Sequence, residues 1–151
     1  MYRIEELTYD NREMVLHNVL NLLAELREDP SEEASVDKSK VVRDWLMNRD
    51  RHRVYVALDN DRIVGILTLQ ECFAIYANGS YGVINELYVV PDYRSKGVGK
   101  TLVDKAAAVA RMKGWRRLDV TAPAGDKWQR TVNFYLREGF VHTGPKLKLM
   151  L

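Results

Sequence analysis

The hydrophobic period of this chain changes midway, and that change restricts its fold more than any other feature. Between residues 53 and 90 the apolar residues alternate or cluster in short Val- and Ile-rich runs, the pattern of β-strands. Residues 53–58 and 62–69 are separated by Asp59-Asn60-Asp61, which predicts a strand, a tight turn and a second strand. The second strand can run on to Tyr76, and Asn78-Gly79 marks another turn. Residues 81–90 form a long apolar strand stopped by Pro91-Asp92. Over residues 98–113 the period becomes helical, with Leu102, Val103, Ala106, Val109 and Ala110 on one face and Gly114 where a helix-ending glycine belongs.

The flanks complete the pattern. Residues 2–7 suit a first strand. Asp10 or Asn11 can cap a helix carrying Val15, Val19, Leu22, Leu23 and Leu26, ending near residues 27–30. After a polar loop, residues 38–48 predict a shorter helix that buries Val41, Val42, Trp45 and Leu46. Residues 117–121 form a short strand and residues 129–138 a helix followed by Gly139. Val141 and the alternating Lys146-Leu147-Lys148-Leu149 predict two last strands joined by Thr143-Gly144-Pro145. The order β-α-α-β-β-β-α-β-α-β-β implies an α/β domain over residues 1–151, with helices covering a mixed, mostly antiparallel sheet.

A chain of 151 residues with 46% hydrophobic and 29% charged residues can bury an ordinary core without a disulfide or metal staple. A net charge of +2 is too mild for a nucleic-acid-binding face. One cysteine, Cys72, excludes an intrachain disulfide and fits a reducing, cytoplasmic setting. The first residues lack the apolar core of a signal peptide, and no stretch approaches the ~20 apolar residues of a membrane span. His17, His52 and His142 lie far apart without ligand spacing, so no metal site is expected.

The segment that carries chemistry is residues 85–100, Asn-Glu-Leu-Tyr-Val-Val-Pro-Asp-Tyr-Arg-Ser-Lys-Gly-Val-Gly-Lys. A strand ends at a proline, and a loop with two glycines opens an amphipathic helix. Such a helix start offers unpaired N–H groups and about half a positive charge, a receptor for a diphosphate. Gly97 and Gly99 permit close approach of a ligand to the backbone, while Arg94, Lys96 and Lys100 supply cations. Gly99-Lys100-Thr101 is the tail of a P-loop, but the opening glycine of that motif falls at Arg94. The dinucleotide fingerprint fails because Leu102 takes the place of its third glycine.

Arg94-Ser95-Lys96-Gly97-Val98-Gly99 resembles R/Q-x-x-G-x-G, the pyrophosphate loop of the GNAT superfamily of acetyl-CoA-dependent N-acetyltransferases. The preceding Leu-Tyr-Val-Val-Pro resembles that family too, as does the later Tyr135-Leu136-Arg137-Glu138-Gly139-Phe140. The resemblance covers nearly the whole chain. It implies a GNAT fold with about seven strands and about four helices, in which two splayed strands hold acetyl-CoA. By that resemblance the cofactor's pantetheine arm pairs with main-chain groups at Leu87 and Val89. Arg94, Ser95, Lys96, Gly97, Val98, Gly99 and Lys100 surround its pyrophosphate, the Val89 amide receives the oxyanion, and Tyr135 protonates the leaving thiolate. Where the family often has an Asn that touches the cofactor, this chain has Trp128, and Asn133 is a candidate to supply a polar group instead.

Acetyl transfer needs a neutral amine. An alkyl amine with a pKa near 10.4 costs about 4–5 kcal/mol to deprotonate at neutral pH, which a carboxylate base can supply. Glu86, an acid in an otherwise apolar strand, is the candidate base, and binding a cationic substrate is its alternative role. Trp45, Tyr76, Tyr81 and Trp128 are candidates to line an acceptor pocket, bordered by Glu25, Glu28, Glu32 and Glu33. The leading expectation is transfer to the primary amine of a small molecule by direct attack in a ternary complex. A protein or peptide N-acetyltransferase, and a non-catalytic acyl-CoA sensor, are the competing readings. The alternating stripe at residues 146–151 gives a homodimer an edge on which to pair.

Overall fold

In the computed structural model, which describes residues 2–8, 20, 37–122 and 125–151, one five-stranded sheet organises the chain in the order β1-β2-β3-β4-β5. The strands are β1 (Arg3–Glu6), β2 (His52–Asp59), β3 (Arg62–Ala74), β4 (Gly79–Val89) and β5 (Leu118–Val120). The helices described are α1 (Lys38–Asn48), α2 (Val98–Met112) and α3 (Gln129–Arg137). β1 to β4 pair antiparallel in sequence order, with short turns joining β2 to β3 and β3 to β4, and β5 returns parallel to β4 through the α2 crossover. Asn60 and Asn78 take left-handed φ values of 52° and 61° at the two hairpin turns, where asparagine tolerates that region.

Both faces of the sheet are covered. On one, Leu67, Leu69 and Ile84 pack against Val98, Leu102, Val103, Ala106 and Val109 of α2. On the other, Val54, Val56 and Ile66 pack with Trp45 of α1 and with Leu20. Trp45 is therefore a core residue, with its indole N–H donating to the His52 carbonyl at 3.0 Å, and not a pocket lining. The capping residue of α1 is Asp37, whose carboxylate accepts the Lys40 amide at 3.0 Å.

Two expectations need correction. Five strands and three helices are found among the described residues where about seven and about four were expected, the expected first helix lying outside them save for helical Leu20. Val141 and residues 146–149 form no strand: Leu147 and Leu149 stand 89% and 84% exposed. Alternation shows which residues suit a strand, but a strand also needs a backbone partner, and residues 141–151 join no ladder.

Candidate active site

The site is built on an irregularity in β4. Thr68 pairs with Glu86 across the ladder but Leu69 pairs with Ile84, so Asn85 is an extra residue and β4 bulges there. Before the bulge, the Gly82 N–H donates to the Arg117 carbonyl at 3.1 Å, toward β5. After it, the Glu86 N–H donates to Thr68 Oγ1 at 3.0 Å and the Val90 N–H to the Val64 carbonyl at 3.0 Å, both toward β3. Strand alternation then turns the amides of Leu87 and Val89 to the opposite edge. A regular strand would have faced Glu86 and Tyr88 that way.

That edge borders a gap. β5 pairs with β4 only at Gly82, Val83 and Ile84, so β4 runs on from Asn85 to Val89 with no β5 partner. The strands part where the bulge has redirected the amides. The Arg94 guanidinium Nε donates to the Val89 carbonyl at 3.0 Å and lies 5.7 Å from the centre of the Tyr88 ring, closing the end of the gap with a cation.

The loop that follows is shaped to receive an anion. Ser95 and Gly97 have φ of 61° and 85°, and left-handed residues spaced this way turn successive N–H groups inward. Gly97 is the N-cap of α2, and the first intrahelical bond runs from the Thr101 N–H to its carbonyl at 3.0 Å. The amides of Val98, Gly99 and Lys100 thus precede the intrahelical ladder, and the first turn carries no acidic residue. Val98 is buried and anchors the helix start, while Gly99 lies beneath Phe134, where an added Cβ would meet the ring at 3.3 Å. Tyr93 ties the loop to the β2–β3 turn by donating to Asp59 at 2.7 Å.

The side chains of the loop divide. Lys96 Nζ sits 5.4 Å from the Tyr93 ring centre. Lys100 turns back along the helix to Asp104 at 2.9 Å and Glu138 at 3.6 Å, chiefly the first of which raises its pKa. Its charge is directed away from the loop, and only its amide faces the helix start. Arg130, which sequence reasoning missed, reaches from α3 to donate to Ser95 Oγ. No sequence spacing could reveal it, because the contact depends on how α3 docks.

Tyr135 on α3 is 6% exposed and packs against Phe134 and Phe140, with ring centres 5.3 and 5.6 Å away. Burial pushes its pKa up to about 12. It lines a groove continuous with the parted strands, together with Asn85, Val120 and Trp128. Tyr76 and Tyr81 line it too, their hydroxyls 3.2 Å apart, with Arg117 stacked 4.9 Å from the Tyr76 ring centre and paired with Asp119 at 2.6 Å. Asn133 is exposed, accepts from Gln129 at 3.0 Å and does not line the groove.

Glu86 lies on the other side. Leu67 and Leu69 face α2, so Thr68 between them faces away, and Glu86 shares its side. Candidate base and candidate acid therefore approach the gap from opposite faces of the sheet. Among the described residues no group of three or more His, Cys, Asp or Glu side chains could hold a metal, and no helix is long and apolar enough to cross a membrane. Cys72 is a half-buried thiol whose pKa burial raises. His17 and the four glutamates at 25, 28, 32 and 33 lie outside the described residues.

A sheet that parts between parallel strands, with a glycine-turned helix start at the mouth of the opening, has the geometry that suits an extended ligand ending in phosphates. The chain belongs to the Acetyltransferase (GNAT) family, whose pattern residues 16–140 match. It is 32% identical over 98 residues to an uncharacterized N-acetyltransferase of Methanocaldococcus jannaschii, a match covering 64% of this chain and 42% of that one. It is also 32% identical over 85 residues to an aminoalkylphosphonate N-acetyltransferase of Salmonella typhimurium, covering 56% and 54% respectively. The match thus spans about half or less of these relatives. An aminoglycoside acetyltransferase from an uncultured soil metagenomic sample has the same fold, with a TM-score of 0.84 at 17% identity over 100% of this chain and 99% of that one.

Proposed function

We propose that this chain transfers the acetyl group of acetyl-CoA to a primary amine of a small molecule, by direct attack while both substrates are bound. The observation that carries this reading is the bulge at Asn85, which turns the Leu87 and Val89 amides into the gap between parted strands, next to an anion-receiving helix start. The pantetheine arm would lie in the gap with its amides on the main chain of Leu87 and Val89. The pyrophosphate would take the amides of residues 95–100, with Arg94, Lys96 and Arg130 around it.

The chemistry follows from the two faces. An ammonium arriving on the Glu86 face passes a proton to the carboxylate, directly or through water, and the carboxylate relays it to solvent. The roughly 4–5 kcal/mol that this costs at neutral pH is set by the amine's own pKa and becomes part of the barrier. The amine lone pair attacks the thioester carbonyl, and the Val89 N–H stabilises the oxyanion that forms. The nitrogen sheds its second proton to water or to the emptied Glu86 carboxylate, and collapse breaks the C–S bond, leaving the N-acetyl product and expelling sulfur on the Tyr135 face. A phenol with a pKa of about 12 stays protonated throughout the neutral range. Complete transfer of its proton to a thiolate of ordinary pKa near 8.5 would cost about 5 kcal/mol. Tyr135 therefore acts chiefly by donating a hydrogen bond to sulfur as charge builds, its proton moving late.

The Salmonella typhimurium relative, named for a small aminoalkyl substrate, supports a small acceptor. Tyr81 pairs with Cys72, which alternation puts on the Thr68 side of β3, so Tyr81 shares the Glu86 face, and its hydroxyl with that of Tyr76 is available to the acceptor's far end. Incubation with labelled acetyl-CoA and pooled metabolites, peptides and proteins, read by mass spectrometry, tests the proposal. Label on small amines is expected. Label confined to proteins would overturn the substrate class, and cofactor binding without transfer would overturn the enzymatic reading.

A further inference from the structure

Thr68 is the one buried, non-aromatic polar side chain among the described residues, 3% exposed within the buried run Val64-Gly65-Ile66-Leu67-Thr68-Leu69 of β3. A hydroxyl buried in such a place needs partners. Both of its partners are atoms of Glu86: Oγ1 accepts the Glu86 N–H at 3.0 Å and donates to the Glu86 carboxylate oxygen Oε2. A hydroxyl has one proton and two lone pairs, so it can fill both roles together. The two contacts fall at the register shift, where a bulge interrupts the local ladder and a side chain here supplies the acceptor.

We propose that Thr68 is a positioning residue for the candidate base. One hydroxyl fixes both ends of Glu86: it holds the main chain at the bulge and one carboxylate oxygen against β3. The carboxylate is thereby kept at a set distance from the Leu87 and Val89 amides, which the same bulge aims into the gap. This inference rests on the reading of Glu86 as the base for acetyl transfer. A donor to a carboxylate favours its ionised form, so loss of the hydroxyl is a change that a titration can read.

The test measures the titration of Glu86 by carbon NMR of glutamate-labelled protein, assigned with Glu86→Gln, alongside steady-state kinetics. Thr68→Val keeps the shape and removes the hydroxyl, and Thr68→Ala does so without the second methyl if the valine variant folds poorly. The Glu86 midpoint should move upward by about one unit, the share of a single bond where two or three bring a carboxylate below 2. Turnover should fall between about tenfold and 10²-fold, the scale of a small misplacement, with its acid limb displaced to higher pH. Thr68→Ser, which restores a hydroxyl, should return both values close to those of the native protein. An unmoved midpoint in the valine or alanine variant would overturn the proposal, as would failure of serine to restore it. The failure of acetyl transfer itself is separable: the native protein would then acetylate no amine, while the Glu86 midpoint would still respond to Thr68.

Discussion

Replacing Gly97 by alanine asks whether the loop before α2 keeps the shape that receives phosphates. Gly97 sits at φ 85° and ψ −2°, and a Cβ built on it meets no atom within 4 Å. The substitution therefore introduces no clash, and its whole effect is conformational. Holding an L-residue left-handed costs about 1–2 kcal/mol, and the smaller entropy of the unfolded alanine chain returns about 0.4–1 kcal/mol. A net loss of about 1 kcal/mol must then appear in the cofactor-bound protein. If the free loop keeps its shape, the loss is one of stability, lowering the unfolding temperature by about 2–4 °C and leaving acetyl-CoA affinity intact. If the free loop relaxes, the unfolding temperature holds and the dissociation constant rises about fivefold. Thermal unfolding and calorimetric titration on the same samples give the two parts, and their sum is the predicted quantity. A sum indistinguishable from zero would mean that residue 97 is not left-handed in the bound state. Gly99→Ala is the contrast, since its backbone is helical and it asks only that the Phe134 ring shift by a few tenths of an ångström.

Three further substitutions have expected outcomes. Tyr135→Phe should lower turnover about 10²-fold, the scale of one lost transition-state donor, with acetyl-CoA affinity unchanged by calorimetry. Because burial raises the Tyr135 pKa to about 12, its contribution to stability is complete below pH ~10 and lost as pH rises through 12, so denaturant melts of the Phe variant should fall less steeply above pH ~10. Arg94→Ala removes the cation on the Val89 carbonyl and should weaken acetyl-CoA binding with a shallower dependence on salt, measured by titrations at two ionic strengths. Leu102→Ala empties a fully buried site between α2 and the sheet and should cost about 2–5 kcal/mol in denaturant unfolding.

The hairpins of β2, β3 and β4 and the start of α2 were legible because local chemistry determines them. Alternating Val and Ile, asparagine at the turns and glycine at the helix start act over a few residues. The bulge at Asn85 was not legible, because residues 81–90 read as one uninterrupted apolar strand. Only the pairing of Glu86 with Thr68, eighteen residues earlier, shows where the extra residue falls. The same holds for Lys100, whose charge looked available for phosphate until Asp104 and Glu138 were placed beside it, and for Arg130, which α3 delivers to Ser95. The alternation at residues 146–149 carried a true propensity, but these residues join none of the described strands.

Backbone amides holding a diphosphate at the mouth of the gap are central to the proposed activity. Calorimetric titration at low salt with acetyl-CoA, compared with acetyl-pantetheine, which keeps the thioester arm and lacks the diphosphate with its phosphorylated adenosine, and with adenosine 3′-phosphate as the control for the nucleoside end, measures that contact. Saturable binding of acetyl-CoA, with acetyl-pantetheine weaker by at least about 10²-fold (near 2.7 kcal/mol), is the predicted result. Equal affinities, or no heat with acetyl-CoA, would contradict it.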